Sequence, residues 1–199
     1  MNQKFFIYKK SISTEEKPDL SFIPMMTRRK LSRLAKIAFA TIYACCDENM
    51  SSVNLVFASQ FGEFEILENL IAQYSAENEV SPIAFSSSVH NAAIGNFSLL
   101  NNIKNKYNAV SAGKNSLSNG FLEAVLEKEE TLFCYADTIP YSKSVSCLVG
   151  RENKENADEI EIYPAQNTVC DDEFERFANF LNKETDEFLS PLYTLRRVK

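Results

Sequence analysis

The alternation of apolar and polar stretches along the chain predicts an ordered series of strands and helices. Short apolar runs rich in β-branched and aromatic residues predict strands, and apolar residues recurring every three or four positions predict helices. The predicted strands are, in chain order, Lys4–Ser11, Ser52–Gln60, Tyr107–Ala112, Thr131–Ala136, Ser144–Val149 and Glu159–Tyr163. The predicted helices are Thr27–Cys46, Glu63–Glu77, Asn91–Ile103, Gly120–Lys128 and Asp171–Leu189.

This order of elements predicts an α/β protein. Helices separate the first four strands, whereas the later strands follow one another, so we expect a mixed central sheet with helices on both faces, in α/β/α layers. The run Tyr107–Ala112 is expected to be a core strand, and the alternating run Glu159–Tyr163 is expected to be an edge strand. We predict one domain over residues 1–199, with its core at about 20–165 and a carboxyl-terminal helix at about 171–189.

Composition and charge narrow the classes of function. Of the 199 residues, 45% are hydrophobic and 15 are Phe, which is enough for a substantial core. The net charge of −6 disfavours a nucleic acid or a membrane surface as the main partner. No apolar run approaches the ~20 residues of a membrane span, and the amino terminus lacks the apolar segment of a signal peptide. We therefore expect a cytoplasmic protein whose cysteines are reduced thiols: Cys45, Cys46, Cys134, Cys147 and Cys170.

The turn after the third predicted strand is the position where an α/β enzyme would display a nucleophile. Strand carboxyl ends and helix amino termini converge at such a turn, which exposes backbone N–H groups and a partial positive charge. Here the turn holds Gly113, Lys114, Asn115 and Ser116, and none of them is a cysteine or a histidine. The sequence thus predicts the frame of an enzyme site without its nucleophile.

Other candidate groups have ordinary structural interpretations. His90, the only histidine, precedes a predicted helix, and we interpret it as bonded to backbone because no nucleophile is placed beside it. The run S-L-S-N-G around Ser118 is close to the G-x-S-x-G elbow of hydrolases, but Ser116 replaces the first Gly and no histidine follows. Capping of the next helix by Ser116 or Ser118 explains both serines. A serine acyl transferase or thioesterase stays open as an alternative.

No cofactor is predicted, because the chain shows no metal-ligand spacing and has only five glycines to build a phosphate loop.

The basic residues before the apolar part of the first helix are unusual in an acidic protein. They fit docking of an acidic partner, and salt bridges within or between subunits would explain them equally well. These residues are Arg28, Arg29, Lys30, Arg33 and Lys36.

Five segments occur in an order that resembles a known family. They are TRRKLSRLAKIAF, VFASQFGEFEILENLI, SPIAFSSSVHNAAIGNFSL, AVSAGKNSLSNGFLEAVL and TLFCYADTIPYSKSVSCLV. Together they resemble the amino-terminal half of the thiolase-like fold, specifically a β-ketoacyl synthase-like amino-terminal domain. The resemblance covers about residues 20 to 150.

The resemblance implies a role near condensing enzymes of fatty-acid, polyketide or aryl-polyene assembly, which act on chains carried by acyl carrier protein. Such enzymes place a nucleophilic Cys at the turn after the third strand and take two histidines, or a His and an Asn, from a second half. This chain has no thiol between Val110 and Gly113, and the second half is absent. A chain-length-factor-like subunit without its own catalysis is therefore expected.

The resemblance also implies partners. The third strand of the family pairs across a two-fold axis, so we expect a homodimer or a heterodimer with a full-length β-ketoacyl synthase. Acyl carrier protein is a further expected partner, docking at Arg28, Arg29, Lys30 and Arg33. An acyl-chain-binding dimer is the remaining alternative to the supporting subunit.

Overall fold

Eight strands and seven α-helices make up the part of the chain that the computed structural model describes, residues 3–46, 50–165 and 172–198. The strands are β1 (Gln3–Ser13), β2 (Asn54–Ala58), β3 (Tyr107–Val110), β4 (Thr131–Asp137), β5 (Lys143–Gly150), β6 (Asp158–Pro164), β7 (Glu187–Leu189) and β8 (Tyr193–Arg197). The helices are α1 (Met25–Arg28), α2 (Arg33–Cys45), α3 (Phe64–Glu77), α4 (Pro82–Ser87), α5 (Ala92–Leu100), α6 (Ser116–Leu126) and α7 (Glu173–Leu181).

The strands form one mixed sheet in the order β3-β2-β4-β5-β1-β6-β8-β7. β2 is parallel to both β3 and β4, and the remaining neighbouring pairs are antiparallel. Helices connect the parallel strands, as parallel pairing requires, whereas a short turn joins β4 to β5. The two edges differ, because β3 lies at one end of the sheet and β7, only three residues long, lies at the other.

Successive side chains of the central strands point to opposite faces of the sheet, so each face has its own core. On β2, Leu55 and Phe57 join the core under α2 and α5. The alternate residues Val56 and Ala58 join the core under α6 and α7. The predicted α/β/α layering is confirmed.

The long first helix predicted from Thr27 is wrong in its first part. α1 ends at Arg28, and α2 begins only at Arg33, where the Ser32 Oγ accepts a hydrogen bond from the Ala35 N–H at 2.9 Å. Cations in the first turn of a helix oppose its dipole, whereas a serine cap satisfies its free N–H groups. The break therefore places Arg29 and Lys30 in a turn.

The predicted carboxyl-terminal helix is wrong beyond Leu181. Lys183 has a φ of 66°, which ends the helical conformation, and the hairpin of β7 and β8 follows. Asp171, the predicted first residue of the helix, lies outside the described residues.

Two strand positions also differ from the prediction. β6 is not an edge strand, because β8 pairs with its outer side and β1 with its inner side. β3 is not a core strand, because it pairs only with β2 among the described strands. β8 could not be predicted as a strand, because its two consecutive arginines, Arg196 and Arg197, interrupt the apolar alternation of a strand.

Candidate functional site

The turn between β3 and α6 lies at the carboxyl end of the parallel strands and is held closed by Ser116. The Ser116 Oγ accepts from the Ala112 N–H at 2.9 Å and donates to the Gly113 carbonyl at 2.7 Å. Gly113 has a φ of 58°, a left-handed conformation that favours glycine. With both hydrogen-bonding functions in use and no exposed surface, Ser116 is part of the turn's framework.

Ser118 joins the first turn of α6 to the carboxyl-terminal segment. Its Oγ donates to the Glu173 carboxyl at 2.7 Å, and its carbonyl accepts from the Tyr193 hydroxyl at 2.9 Å. Burial raises the pKa of Glu173. The predicted capping role of Ser116 or Ser118 is wrong, because α6 begins four residues earlier than expected and Asn115 is its N-cap residue, without a side-chain cap bond.

His90 contacts the same turn from the other side. Its Nε2 lies 3.1 Å from the Val110 carbonyl oxygen, which makes Nε2–H the donor, and its ring lies beside Phe57 with the centroids 6.2 Å apart. A Cβ on Gly62 would approach the His90 Nδ1 to 2.6 Å, so a glycine is required there. His90 and the two serines share no hydrogen bond among the described residues, and no Ser–His pair is formed.

A small pocket of about 310 Å³ opens between the turn and the start of α7. Lys114 lines it together with Tyr135, Lys143 and Glu173. The Lys143 Nζ lies 3.4 Å from an Asp172 carboxylate oxygen, which balances part of its charge. The pocket offers cations and carboxyl groups to a ligand, but its lining contains no thiol and no imidazole.

A buried aspartate, Asp137, holds the loop after β2, whose residues Gln60 and Phe61 line this pocket. The Asp137 carboxylate accepts from the Ser59 hydroxyl at 2.6 Å, from the Tyr135 hydroxyl at 2.5 Å and from the backbone N–H groups of Gln60 and Phe61, both at 3.1 Å. Four donors compensate for burying the carboxylate. Sequence reasoning missed this residue, although an Asp at the end of an apolar strand was a visible signal.

The cysteines do not replace the missing nucleophile. Burial raises the pKa of the Cys134 thiol to about 11 and also raises the pKa values of Cys45 and Cys147. At neutral pH these groups are protonated, and the thiolate is the reactive form. Cys45, Cys46, Cys134 and Cys147 are free cysteines, and Cys170 lies outside the described residues.

Two kinds of feature are absent from residues 3–46, 50–165 and 172–198. No group of His, Cys, Asp and Glu side chains there is arranged to hold a metal ion. No helix in those ranges is long and apolar enough to cross a membrane.

Glu63, next to Gly62, makes stability depend on pH. Its buried carboxyl accepts from the Ser32 hydroxyl at 2.7 Å, and burial raises its pKa from 4.5 to about 7. The folded chain therefore keeps this proton to a higher pH than the unfolded chain. The contribution of Glu63 to the free energy of unfolding is therefore most favourable below about pH 4.5, and it falls as the pH rises to about 7.

We expect Glu63→Gln to remove that dependence. Gln cannot ionise, and its oxygen still accepts from Ser32. The free energy of unfolding of the variant should therefore exceed that of the native chain by about 1–3 kcal/mol at pH 8 and equal it at pH 4.5. Urea unfolding at pH 4.5, 6, 7 and 8 measures the difference between the two chains. A constant difference across this range would contradict the prediction.

A second candidate site is an apolar surface on α3, α4 and α5. Among the described residues of α3 only Leu70 is buried, and Ile83 and Leu99 are 80% and 82% exposed. Patches of this kind on a soluble protein mark interaction sites. The large apolar side chains exposed here are Phe64, Leu67, Ile71, Tyr74, Val80, Ile83, Phe85, Val89, Leu99 and Leu100.

This apolar surface adjoins the open edge of the sheet. α3 packs against α4, α4 against α5 and α5 against β3. Tyr107 and Asn108 of β3 are exposed, and the strand has no described neighbour on its outer side. An unpaired strand with apolar helices beside it is a template for a second polypeptide.

Three solved structures illustrate which proteins share this fold. A chain of "Ketosynthase (ApeO) in Complex with its Chain Length Factor (ApeC) from Xenorhabdus doucetiae" superposes with a TM-score of 0.78 and 18% identity, covering 98% of this chain and 100% of that one. A second match is a chain of the AntDE:AntF complex, described as a type II PKS acyl-carrier protein in complex with its ketosynthase bound to the hexaketide. Its TM-score is 0.60 and its identity 12%, and the match covers 84% of this chain and 63% of that one. The ishigamide ketosynthase/chain length factor superposes with a TM-score of 0.52 and 13% identity, and the match covers 71% of this chain and 51% of that one.

These likenesses show the fold of the chain, the thiolase-like fold of ketosynthases. Residues 8–139 match the family described as the β-ketoacyl synthase amino-terminal domain. The chain belongs to that family. It spans only 63% and 51% of the AntDE:AntF and ishigamide chains, and it matches no curated protein.

Proposed function

We propose that this chain is a non-catalytic β-ketoacyl synthase-like subunit. It supports a condensing enzyme in acyl-carrier-protein-dependent synthesis of fatty acids or polyketides, including products of the aryl-polyene type. One observation carries the proposal: the closed turn between β3 and α6, where the family's resemblance places a nucleophile, holds no thiol.

The chemistry of condensation requires groups that the turn lacks. A thiolate must take the acyl chain, and hydrogen-bond donors must stabilise the developing oxyanion. Ser116 and Ser118 are buried, and their hydroxyls are engaged by the turn and by Glu173. The His90 Nε2 is bonded to backbone. The serine acyl transferase or thioesterase alternative therefore lacks an activated nucleophile among the described residues.

The proposed partner is a full-length β-ketoacyl synthase. Pairing through β3 would extend the sheet into that partner, and the apolar surface of α3–α5 would be covered beside it. The ApeO–ApeC and ishigamide structures, each described as a ketosynthase with its chain length factor, support a heterodimer. A homodimer uses the same surface and is the alternative form.

Co-expression with a full-length β-ketoacyl synthase from the same organism tests the proposal. Size-exclusion chromatography with light scattering should show a one-to-one complex. The isolated chain should release no CO₂ from a malonyl thioester, and an activated acyl probe should label neither Ser116 nor Ser118. Turnover by the isolated chain, or an acylated serine, would contradict a non-catalytic role.

A further inference from the structure

The pocket beside the β3–α6 turn contains a buried cation whose charge is only partly compensated. Lys143, the first residue of β5, lines this pocket of about 310 Å³ together with Lys114 of the turn. The side chain of Lys143 is only 9% exposed. Lysines are almost never buried to this extent unless they are paired. The groups around the Lys143 ammonium therefore decide whether the pocket has a use for an anion.

One carboxylate faces the Lys143 ammonium, and it is shared with other donors. The Lys143 Nζ lies 3.4 Å from the Asp172 Oδ2, which is longer than a normal charge-assisted hydrogen bond. The same oxygen accepts from the Tyr141 hydroxyl, also at 3.4 Å, and the Asp172 Oδ1 accepts from the Phe174 N–H at the start of α7. An ammonium group has three donors. Most of the hydrogen-bonding capacity of Lys143 is therefore unused among the described residues.

The second acid of the lining, Glu173, does little to neutralise the two cations. Both of its oxygens are taken by Ser118, whose hydroxyl donates at 2.7 Å and whose N–H donates at 3.3 Å. Burial raises the pKa of Glu173, which favours its neutral form. The Lys114 side chain is exposed and makes no ion pair with a described residue. Two ammonium groups are thus opposed mainly by Asp172, and the pocket attracts an anion.

The rest of the lining is largely aromatic and apolar. Phe61, Tyr135 and Phe174 supply rings, and Ile139 and Pro140 supply aliphatic surface. The Tyr135 hydroxyl is already hydrogen-bonded inside the protein. The volume corresponds to roughly ten water-sized groups, at the lower end of the range of small-molecule sites. Such a pocket suits a ligand with one ring and one anionic group.

We infer that this pocket binds a small aromatic carboxylate of about the size of benzoate. The ligand carboxylate accepts from the Lys143 ammonium, while the exposed Lys114 adds a second positive charge. The ligand ring packs against the aromatic walls. This site goes beyond the proposed function and does not depend on it, because every residue that forms it belongs to this chain. A bound ligand would stabilise the folded chain by mass action.

Comparison of three probes tests the inference on the full chain. Saturation-transfer NMR and calorimetric titration should show that benzoate binds with a Kd of about 1 mM or tighter. Benzamide has nearly the same shape without the charge, and inorganic phosphate has charge without the ring. Each should bind at least about tenfold more weakly than benzoate, because each lacks one of the two features that the pocket recognises. Equal affinity for benzoate and benzamide, or for benzoate and phosphate, would overturn the inference, as would absence of benzoate binding.

Two lysine variants locate the site. Lys143→Met keeps an unbranched apolar side chain against the neighbouring rings and should weaken benzoate binding at least about tenfold. Lys114→Met changes an exposed side chain and should weaken it about threefold. The matched control is Lys104→Met, which removes an exposed charge outside the pocket and should bind benzoate within about twofold of the native chain.

Circular dichroism verifies that each variant is folded. Should Lys143→Met fail to fold, Lys114→Met and the comparison of benzoate with benzamide decide the question. Native benzoate affinity in folded Lys143→Met would overturn the inference. An equal loss of affinity in Lys104→Met would do the same, because it would show a response to net charge alone.

Discussion

The double variant Ile83→Glu/Leu99→Glu should lose its affinity for the partner synthase while the isolated chain stays folded. Both side chains are the most exposed of the apolar surface, so replacing them removes almost no contact within the chain. In a complex the new carboxylates would be buried against apolar groups without a counter-charge. Each such substitution at the centre of an interface costs about 2 kcal/mol or more, which predicts at least ~100-fold weaker binding.

Calorimetric titration of the purified synthase with each chain measures this effect. Leu126→Glu is the matched control, because Leu126 is also an exposed leucine but lies at the end of α6. The control should bind like the native chain. Circular dichroism of the isolated variants verifies that they are folded. A synthase that binds the double variant normally would show that another surface forms the complex.

Truncation of Phe177 should cause the largest loss of stability from a single side chain. Its ring is fully buried and lies 4.8 Å from Phe121 of α6 and 5.1 Å from Phe188 of β7, centroid to centroid. Phe177→Ala leaves a cavity that neighbouring rings cannot fill, and such changes cost about 3–5 kcal/mol. Urea unfolding of the isolated chain gives the free energy directly.

The control for this experiment is Phe85→Ala. Phe85 is 61% exposed on α4, so its loss from the isolated chain should cost less than about 0.5 kcal/mol. A loss below about 1 kcal/mol for Phe177→Ala would indicate that α7 is weakly attached. The expected loss would instead establish that residues 173–197 are part of the folding unit.

Most strands and helices of the first 165 residues could be predicted because each has its own local signal, but the short helix α4 is absent from the predicted helices. β4 is an almost continuous apolar run, β5 alternates serines with Val145 and Cys147, and α3 has clear helical spacing. The break before Ser32 and the hairpin after Leu181 could not be predicted with the same signals. The break depends on the cap that Ser32 provides to Ala35, which apolar spacing does not reveal, and the hairpin depends on the pairing of β8 with β6.

The candidate site could be predicted in position but not in detail. The turn around Gly113 follows directly from a strand, small residues and a helix, and its lack of a thiol is visible in the sequence. The partner of Ser118 could not be foreseen, because Glu173 lies 55 residues further along the chain. The exposure of α3 could not be foreseen either, since an amphipathic helix shows the same spacing whether its apolar face covers its own core or another subunit.

The unequal borders of the sheet have a consequence for assembly size. At one border β3 presents a four-residue strand with apolar helices beside it, and at the other β7 offers only three residues. A strand that short gives an incoming chain little backbone to bond with. Strand addition is therefore favoured at the β3 border. This geometry favours a discrete pair over a fibrous polymer.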